Sequence, residues 1–289
     1  MAGQLGRATQ SPATVELLDE LGDRHALWVI SEPAVVAGVA AALSDEPLYM
    51  ADGHHRYETA LAYRDEQPQQ GGSGDEAYRF VLTVLSAVED RGLVILPTHR
   101  VVRALDPTRL TRLSEAVARW FTVEPLPDDE ALLREALAEA GCDAPAFGIC
   151  APALGDAHVR LLRLRDPGAA AAHMPQDRSA AWRQLDVSVA HALILEQSLG
   201  LVPEMIEDQV VYTRDAAEAL RAVREGQGQV ALLLNATRVA QVCAVAQAHD
   251  RMPQKSTYFY PKVLTGLVVH HLAGRLPDPR AAATQRAWA

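Results

Sequence analysis

The chain runs to 289 residues, 49% of them hydrophobic, enough to bury one large core or two smaller ones. A net charge of −10 argues against a broad nucleic-acid-binding surface and leaves room only for a local basic pocket. No apolar run reaches the ~20 residues of a membrane span, and no basic stretch precedes an apolar core at the N-terminus. The three cysteines lack metal-ligand spacing, so the expectation is a cytoplasmic protein with reduced thiols and no membrane partner.

In chain order, residues 1–22 read as a polar lead with a short helix. "HALWVI" (25–30) predicts a buried strand, and "SEPAVVAGVAAAL" (31–43) a helix with Ser31 as N-cap and Pro33 in its first turn. "PLYMA" (47–51) predicts a short strand ending at Asp52-Gly53, after which a helix is expected from Arg56 to Glu66. "QPQQGGSGDE" (67–76) has the composition of a loop. "YRFVLTVLSA" (78–87) and "GLVIL" (92–96) predict strands, the second leading into "PTHR" (97–100).

Residues 105–175 read as a small α/β insertion: a helix from Asp106-Pro107 through Trp120, "FTVEPL", an acidic helix (128–140), "AFGIC" and "VRLLRLR". "LDVSVAHALILEQSLG" (185–200) predicts a long apolar helix closed by Gly200, with His191 as a satisfied core histidine. "TRDAAEALRAVREG" (213–226) predicts a helix, and "QVALLLN" (229–235) a buried strand whose Asn235 caps a helix running to about Ala248. A lysine-aromatic loop follows, then a helix over "TGLVVHHLAG" (265–274) with His270 and His271 in structural roles. The fold class is α+β (mixed α/β), with a core over 23–104, the insertion over 105–175, a C-terminal α/β part over 176–276 and a disordered tail over 277–289.

Two stretches carry chemistry. In "YMADGHHRYETALAYRDE" (49–66) a glycine turn separates a strand from a helix. Backbone N–H groups and the positive helix end therefore meet His54, His55 and Arg56, a setting suited to phosphate. Arg56 adds a bidentate fork, Asp52 a carboxylate for Mg²⁺ or for orienting a histidine, and Glu58 a partner for a neighbouring base. The plainer reading is that Asp52 and His54 cap the helix and satisfy each other. A transition-metal site built from these histidines, Asp52 and His99 is the sharper alternative, although adjacent histidines seldom converge on one ion and no HExxH is present.

The second stretch is "MPQKSTYFYPK" (252–262), which holds both lysines of a chain with 27 basic residues. A retained lysine among arginines points to a need for a compact ammonium. Lys255, Lys262, Ser256, Thr257, Tyr258 and Tyr260 form a donor-rich set for oxyanions, with the aromatics as anchors or as a face for a base to stack on. His99 and Arg100 follow a strand, where residues often line sites. The loop around "KSTYFYPK" is expected to fold back onto the histidine turn, where Asp52, His54, His55 and Arg56 line one concave site.

The blocks "LYMADGHHRYETALAYRDE", "ILPTHRVV", "LDVSVAHALIL", "VVYTRDAAEAL", "ALLLNATRVAQVCAVA" and "RMPQKSTYFYPKVLTGLV" together resemble the family called domain of unknown function 1015, in order from about His25 to Val269. Ala236 and Gln254 stand where that family usually has proline, and a Pro-Pro-Tyr-Asp type motif usual near its start is absent here. The resemblance thus implies an N-terminally truncated member. The segment over about 31–66 also resembles the ParB/sulfiredoxin superfamily, whose free-serine kinases carry the same Asp-Gly-His-His-Arg turn against nucleotide phosphates. That resemblance implies a ParB-like core and assigns Asp52, Gly53, His54, His55 and Arg56 to phosphate or Mg²⁺ handling, with ATP or ADP as nucleotide. It supplies no residue for the general base.

Three readings follow: a phosphotransferase acting on a small hydroxyl compound such as serine, a nucleotide-binding regulatory module without turnover, and a metal-dependent hydrolase using His54, His55 and His99. The partners expected are a small-molecule substrate and a nucleotide, with homo-oligomer formation open.

Overall fold

A computed structural model describes residues 2–20, 22–67, 74–126 and 129–276. The chain divides into two compact units, Met1–Leu85 with Leu264–Ala289, and Ser86–Val263. The mixed α/β class holds.

Unit 1 opens with helix α1 (Ala2–Ala8) and an antiparallel hairpin of β1 (Val15–Leu18) and β2 (Arg24–Leu27), pairing Val15 with Leu27. The sequence anticipated β2 but extended it to Ile30. Helix α2 (Pro33–Leu43) follows, with Glu32 rather than Ser31 at the N-cap and Pro33 supplying the fixed φ of its first position. Helix α3 (His54–Glu66) starts two residues earlier than expected, directly after Gly53. Residues 47–51 form no strand, and 78–87 hold only a 3-10 turn, Ala77–Arg79, followed by open backbone. The apolar pattern of 78–87 was real, but a strand also needs a neighbour to satisfy its backbone ladder. No described strand pairs with it, and Phe80, Leu82 and Val84 are exposed.

The expected helix over 265–274 is also absent. That segment is a strap docked on residues 75–77: Ala77 N–H donates to Gly274 O (2.9 Å), Leu276 N–H donates to Asp75 O (2.8 Å), and His270 Nε2 lies 2.9 Å from Ala77 O. Two β-branched valines, with Gly266 and Gly274 at positive φ, outweighed the apolar spacing. Most of the predicted 67–76 loop and the 277–289 tail lie outside the described residues.

Unit 2 runs through β3 (Val94–Leu96), β4 (His99–Val102), α4 (Pro107–Trp120), β5 (Phe121–Pro125), α5 (Glu130–Ala140), β6 (Ala146–Ala151) and β7 (Asp156–Leu164). It continues through the short helices α6 (Pro167–Ala172), α7 (Ala180–Arg183) and α8 (Asp186–Val189). Then come a π-helical stretch Ala190–Ser198, α9 (Pro203–Gln209), β8 (Val210–Thr213), α10 (Ala216–Arg224), β9 (Val230–Leu234), α11 (Val239–Gln247) and β10 (Tyr258–Tyr260). Six strands form one antiparallel sheet in the order β5-β7-β6-β9-β4-β8. Residues 105–175 are therefore not a separate insertion. Their strands β5, β6 and β7 continue the sheet that β9, β4 and β8 complete, and the same cores cover all six.

Alternation along each strand sends neighbours to opposite faces. Val102, Phe147, Leu162, Leu232 and Leu234 join Leu113, Val117 and the buried residues of 185–199 on one face. Val101, Cys150, Leu161 and Leu233 join Leu133 and Leu137 of α5 and Leu220 and Val223 of α10 on the other. Both faces are covered, which is why "VALLL" reads as an unbroken apolar run. The predicted 185–200 helix begins α-helical and then widens: Leu199 N–H donates to Ile194 O, five residues back, at 2.9 Å. His191 is half-exposed and pairs with Glu196 at 3.2 Å, so it is not a core histidine. β10, expected as loop, pairs with β3 so that Phe259 stands opposite Ile95.

Candidate functional site

The histidine turn lies in unit 1. Gly53, the N-cap of α3, has φ +87°, a left-handed conformation that glycine adopts without Cβ strain. A side chain there would also crowd the Arg56 guanidinium, 3.2 Å from where a Cβ would stand. Gly53 N–H donates to Asp52 Oδ1 (2.9 Å), Arg56 Nη2 stands 3.8 Å from Asp52 Oδ2, and His55 Nδ1 3.6 Å from Glu58 Oε2. Tyr57 N–H donates to Gly53 O at 3.0 Å, closing the first turn of α3. His54, His55, Arg56, Asp52 and Glu58 are nevertheless exposed, the His55 side chain at 97%, and do not line a buried cleft of unit 1.

The other candidates gather in unit 2, where β4 begins and β8 and β9 end. Register places His99 opposite Thr213, and Arg100 between Tyr212 and Leu232. His99 is buried, and its Nδ1 accepts the Leu234 N–H at 3.2 Å. Burial first, then the adjacent Arg100 charge, pushes its pKa down to about 4 against an opposing pull from Asp215. His99 is thus neutral at neutral pH, and with Nδ1 accepting, its proton sits on Nε2.

Arg100 is only 3% exposed. Its guanidinium donates to Lys255 O (Nη2, 3.1 Å) and to Thr98 O, and packs 5.6 Å from the Tyr212 ring centroid. Burial lowers its pKa to about 10, leaving it charged. No carboxylate forms an ion pair with it among the described residues. Lys255 Nζ stands 5.9 Å from the same Tyr212 ring, while Arg214 and Lys262 flank Tyr258 at 4.1 and 4.6 Å. The Lys255 backbone has φ +54°, a costly conformation for a residue with a Cβ. Ser256 is buried, and its carbonyl accepts from Thr237 Oγ1 at 2.8 Å.

A third group, which the sequence did not single out, adjoins this one. Asp186, at the start of α8, is partly buried and hydrogen-bonded by the Asn235 side chain, with Arg238 nearby. Desolvation pushes its carboxyl up to about 6 despite those partners. Asn235 does not cap α11, whose N-cap is Arg238. Its Nδ2 donates instead to Leu137 O at 3.0 Å, tying α5 to the end of β9 and to Asp186. Gly141 makes this tie geometrically feasible, since a Cβ there would overlap Asn235 Nδ2. Asp186 is the second residue of the block "LDVSVAHALIL" and the first of α8, and a charged residue opening an otherwise apolar helix was the available signal.

The structure therefore brings His99, Arg100, Lys255, Ser256, Thr257, Tyr258 and Lys262 to one end of unit 2. Asp52, Gly53, His54, His55, Arg56 and Glu58 lie together in unit 1. Among the described residues, no group of three or more His, Cys, Asp or Glu side chains converges as a metal site.

Residues 4–188 match the family model described as Protein of unknown function (DUF1015), and the chain belongs to that family. No curated protein matches it. Solved structures similar to it include a free serine kinase in complex with AMP, at 12% identity and a TM-score of 0.42 over 80% of both chains. A variant of a free serine kinase with ADP has 11% identity and a TM-score of 0.40 over 80% of this chain and 81% of that one. A conserved hypothetical protein from Pyrococcus furiosus has 14% identity and a TM-score of 0.38 over 73% and 68%.

Proposed function

We propose that the protein is a nucleotide-dependent phosphotransferase acting on a small hydroxyl compound, with free serine as the first substrate to test. The observation that carries this reading is Arg100: a buried guanidinium with no carboxylate partner among the described residues, beside Lys255 across one tyrosine ring. A buried charge is costly unless compensated, and an oxyanion ligand would supply the missing negative charge to a residue whose fork suits phosphate. Phosphoryl transfer asks mainly for positioned positive charge. Arg100, Lys255, Arg214 and Lys262 offer it in unit 2, and the first turn of α3 with Arg56 offers a second phosphate-binding element in unit 1.

Mg²⁺ is implied by this chemistry. Asp52 fits it, being an exposed carboxylate, because Mg²⁺ in nucleotide sites takes one or two carboxylates and completes its shell with phosphate oxygens and water. When bound, the ion would supply charge neutralisation to the phosphates; Asp52 would hold and orient it. In the same reading His54 and His55 donate to phosphate oxygens and Glu58 orients His55. ATP or ADP is the nucleotide.

A regulatory module that binds nucleotide without turnover is the second reading, and the same Arg100 environment supports it. A hydrolase built on His54, His55 and His99 is disfavoured, since His99 commits Nδ1 to the Leu234 N–H. The test is thermal unfolding with ATP, ADP and AMP, with and without Mg²⁺, followed by ³¹P NMR of L-serine incubations. A nucleotide-dependent rise in melting temperature with a new phosphomonoester signal is expected. A rise without turnover selects the module, and no rise with any nucleotide overturns both.

A further inference from the structure

We infer that the tyrosine-backed cations of unit 2 form a subsite for the phosphate chain of the nucleotide that does not read the base, so that inorganic pyrophosphate is a sufficient ligand. The inference rests on the phosphotransferase reading and deepens it, naming the part of the donor that unit 2 recognises.

Two segments build the subsite, and each supplies a ring for a cation of the other. Lys255 Nζ stands 5.9 Å from the Tyr212 ring centroid, and the Arg214 guanidinium 4.1 Å from that of Tyr258. Tyr212 and Arg214 lie at the end of β8, Lys255 and Tyr258 where β10 begins. The crossed contacts set the two segments side by side and bring their cations to one patch. Arg100, opposite Tyr212 in register, and Lys262, 4.6 Å from Tyr258, complete it. Among the described residues no carboxylate forms an ion pair with Arg100, Lys255 or Arg214. The neighbouring Asp215 is engaged by the Ala217 and Glu218 amides at the start of α10, 2.8 and 3.2 Å away.

The backbone of Lys255 is held against a cost. Its φ of +54° lies in the left-handed region, which a residue with a Cβ enters at an energetic penalty and glycine does not. Hydrogen bonds to two successive carbonyls fix it there: Arg100 Nη2 donates to Lys255 O at 3.1 Å, and Thr237 Oγ1 to Ser256 O at 2.8 Å. Glycine would suit this backbone, yet the position holds one of the chain's two lysines, its ammonium exposed beside the Tyr212 ring. Point charges and guanidinium forks spread over two rings match the distributed negative charge of a di- or triphosphate better than that of a single phosphate. The rings themselves meet cations rather than offering free faces, and a base stacking over Tyr258 would displace Arg214 or Lys262.

Isothermal titration calorimetry of the intact chain with ADP, GDP, pyrophosphate, orthophosphate and sulfate, at about 150 mM salt, tests the inference. ADP, GDP and pyrophosphate are expected to bind within about tenfold of one another, and orthophosphate and sulfate at least about tenfold more weakly. K255G and R214A should each weaken pyrophosphate by about tenfold or more, while K255G melts no lower than wild type because glycine relieves the left-handed strain. ADP binding without pyrophosphate binding, or GDP more than about 100-fold weaker than ADP, overturns the inference and leaves the phosphotransferase reading standing. Equal affinity for sulfate and pyrophosphate also overturns it, since the patch would then be a general anion surface. So does wild-type pyrophosphate affinity in folded K255G and R214A, which would put the phosphate chain elsewhere. If neither ADP nor pyrophosphate binds, the phosphotransferase reading falls and the subsite with it.

Discussion

Replacing Asp186 with asparagine should stabilise the fold at neutral pH, and the size of the effect follows from its surroundings. An ordinary aspartate titrates near 3.9, whereas burial raises Asp186 to about 6. The folded protein therefore holds the proton more tightly than the unfolded chain. Its preference for the protonated carboxyl favours folding fully below about pH 4, fades between about 4 and 6, and is gone above 6. Two units at ~1.4 kcal/mol each give about 3 kcal/mol, trimmed to about 2–3 by the partial exposure of the side chain. Asparagine never ionises, and its amide oxygen can still accept from Asn235. D186N should thus exceed wild type by about 2–3 kcal/mol at pH 7.5, or ~4–12 °C for a unit of this size, and match it near pH 4. Urea unfolding followed by circular dichroism at both pH values measures the difference. A variant that is less stable at pH 7.5, or equally stabilised at both, would refute the claim that Asp186 is held ionised against its surroundings. Such a cost is the kind retained for function.

Gly141→Ala should be destabilising by about 2–4 kcal/mol although its backbone conformation suits alanine. The added Cβ dislodges Asn235 from both Leu137 O and Asp186, one neutral and one charged hydrogen bond; thermal melts read it, and wild-type stability would show the tie to be dispensable. Arg56→Ala should weaken phosphate-containing ligands more than Arg56→Lys, because lysine keeps charge but not the fork, and calorimetry giving equal affinities for all three proteins removes Arg56 from binding. Lys255→Ala should shrink the nucleotide-induced melting shift while leaving the free protein nearly as stable, its ammonium being exposed; an unchanged shift separates Lys255 from the ligand. Phe259→Ala should cost ~3–5 kcal/mol, since Phe259 packs with Ile95 and Val242 where β10 pairs with β3, and a loss below about 1 kcal/mol would mean that this small core is not cooperative with the sheet.

Local chemistry in the sequence determined the elements whose cause is local. Pro33 opens α2, Gly53 sets the turn ahead of α3, Gly200 and Gly226 follow helices at positive φ, and the apolar run 230–234 is a doubly covered strand. The motifs also put His99, Arg100, Lys255 and Ser256 forward as site residues before any packing was known. What depends on partners was decided only in three dimensions. Residues 78–87 have a strand pattern but no neighbour to complete the ladder, and 265–274 dock as a strap through backbone bonds that composition does not announce. The strands of 105–175 belong to the same sheet as β4, β8 and β9 because antiparallel pairing joins segments that are distant in the chain. Asp186 escaped notice for the same reason. Its basicity comes from burial and from Asn235, 49 positions away in the sequence, and a titratable group acquires such a character only when the fold removes its water.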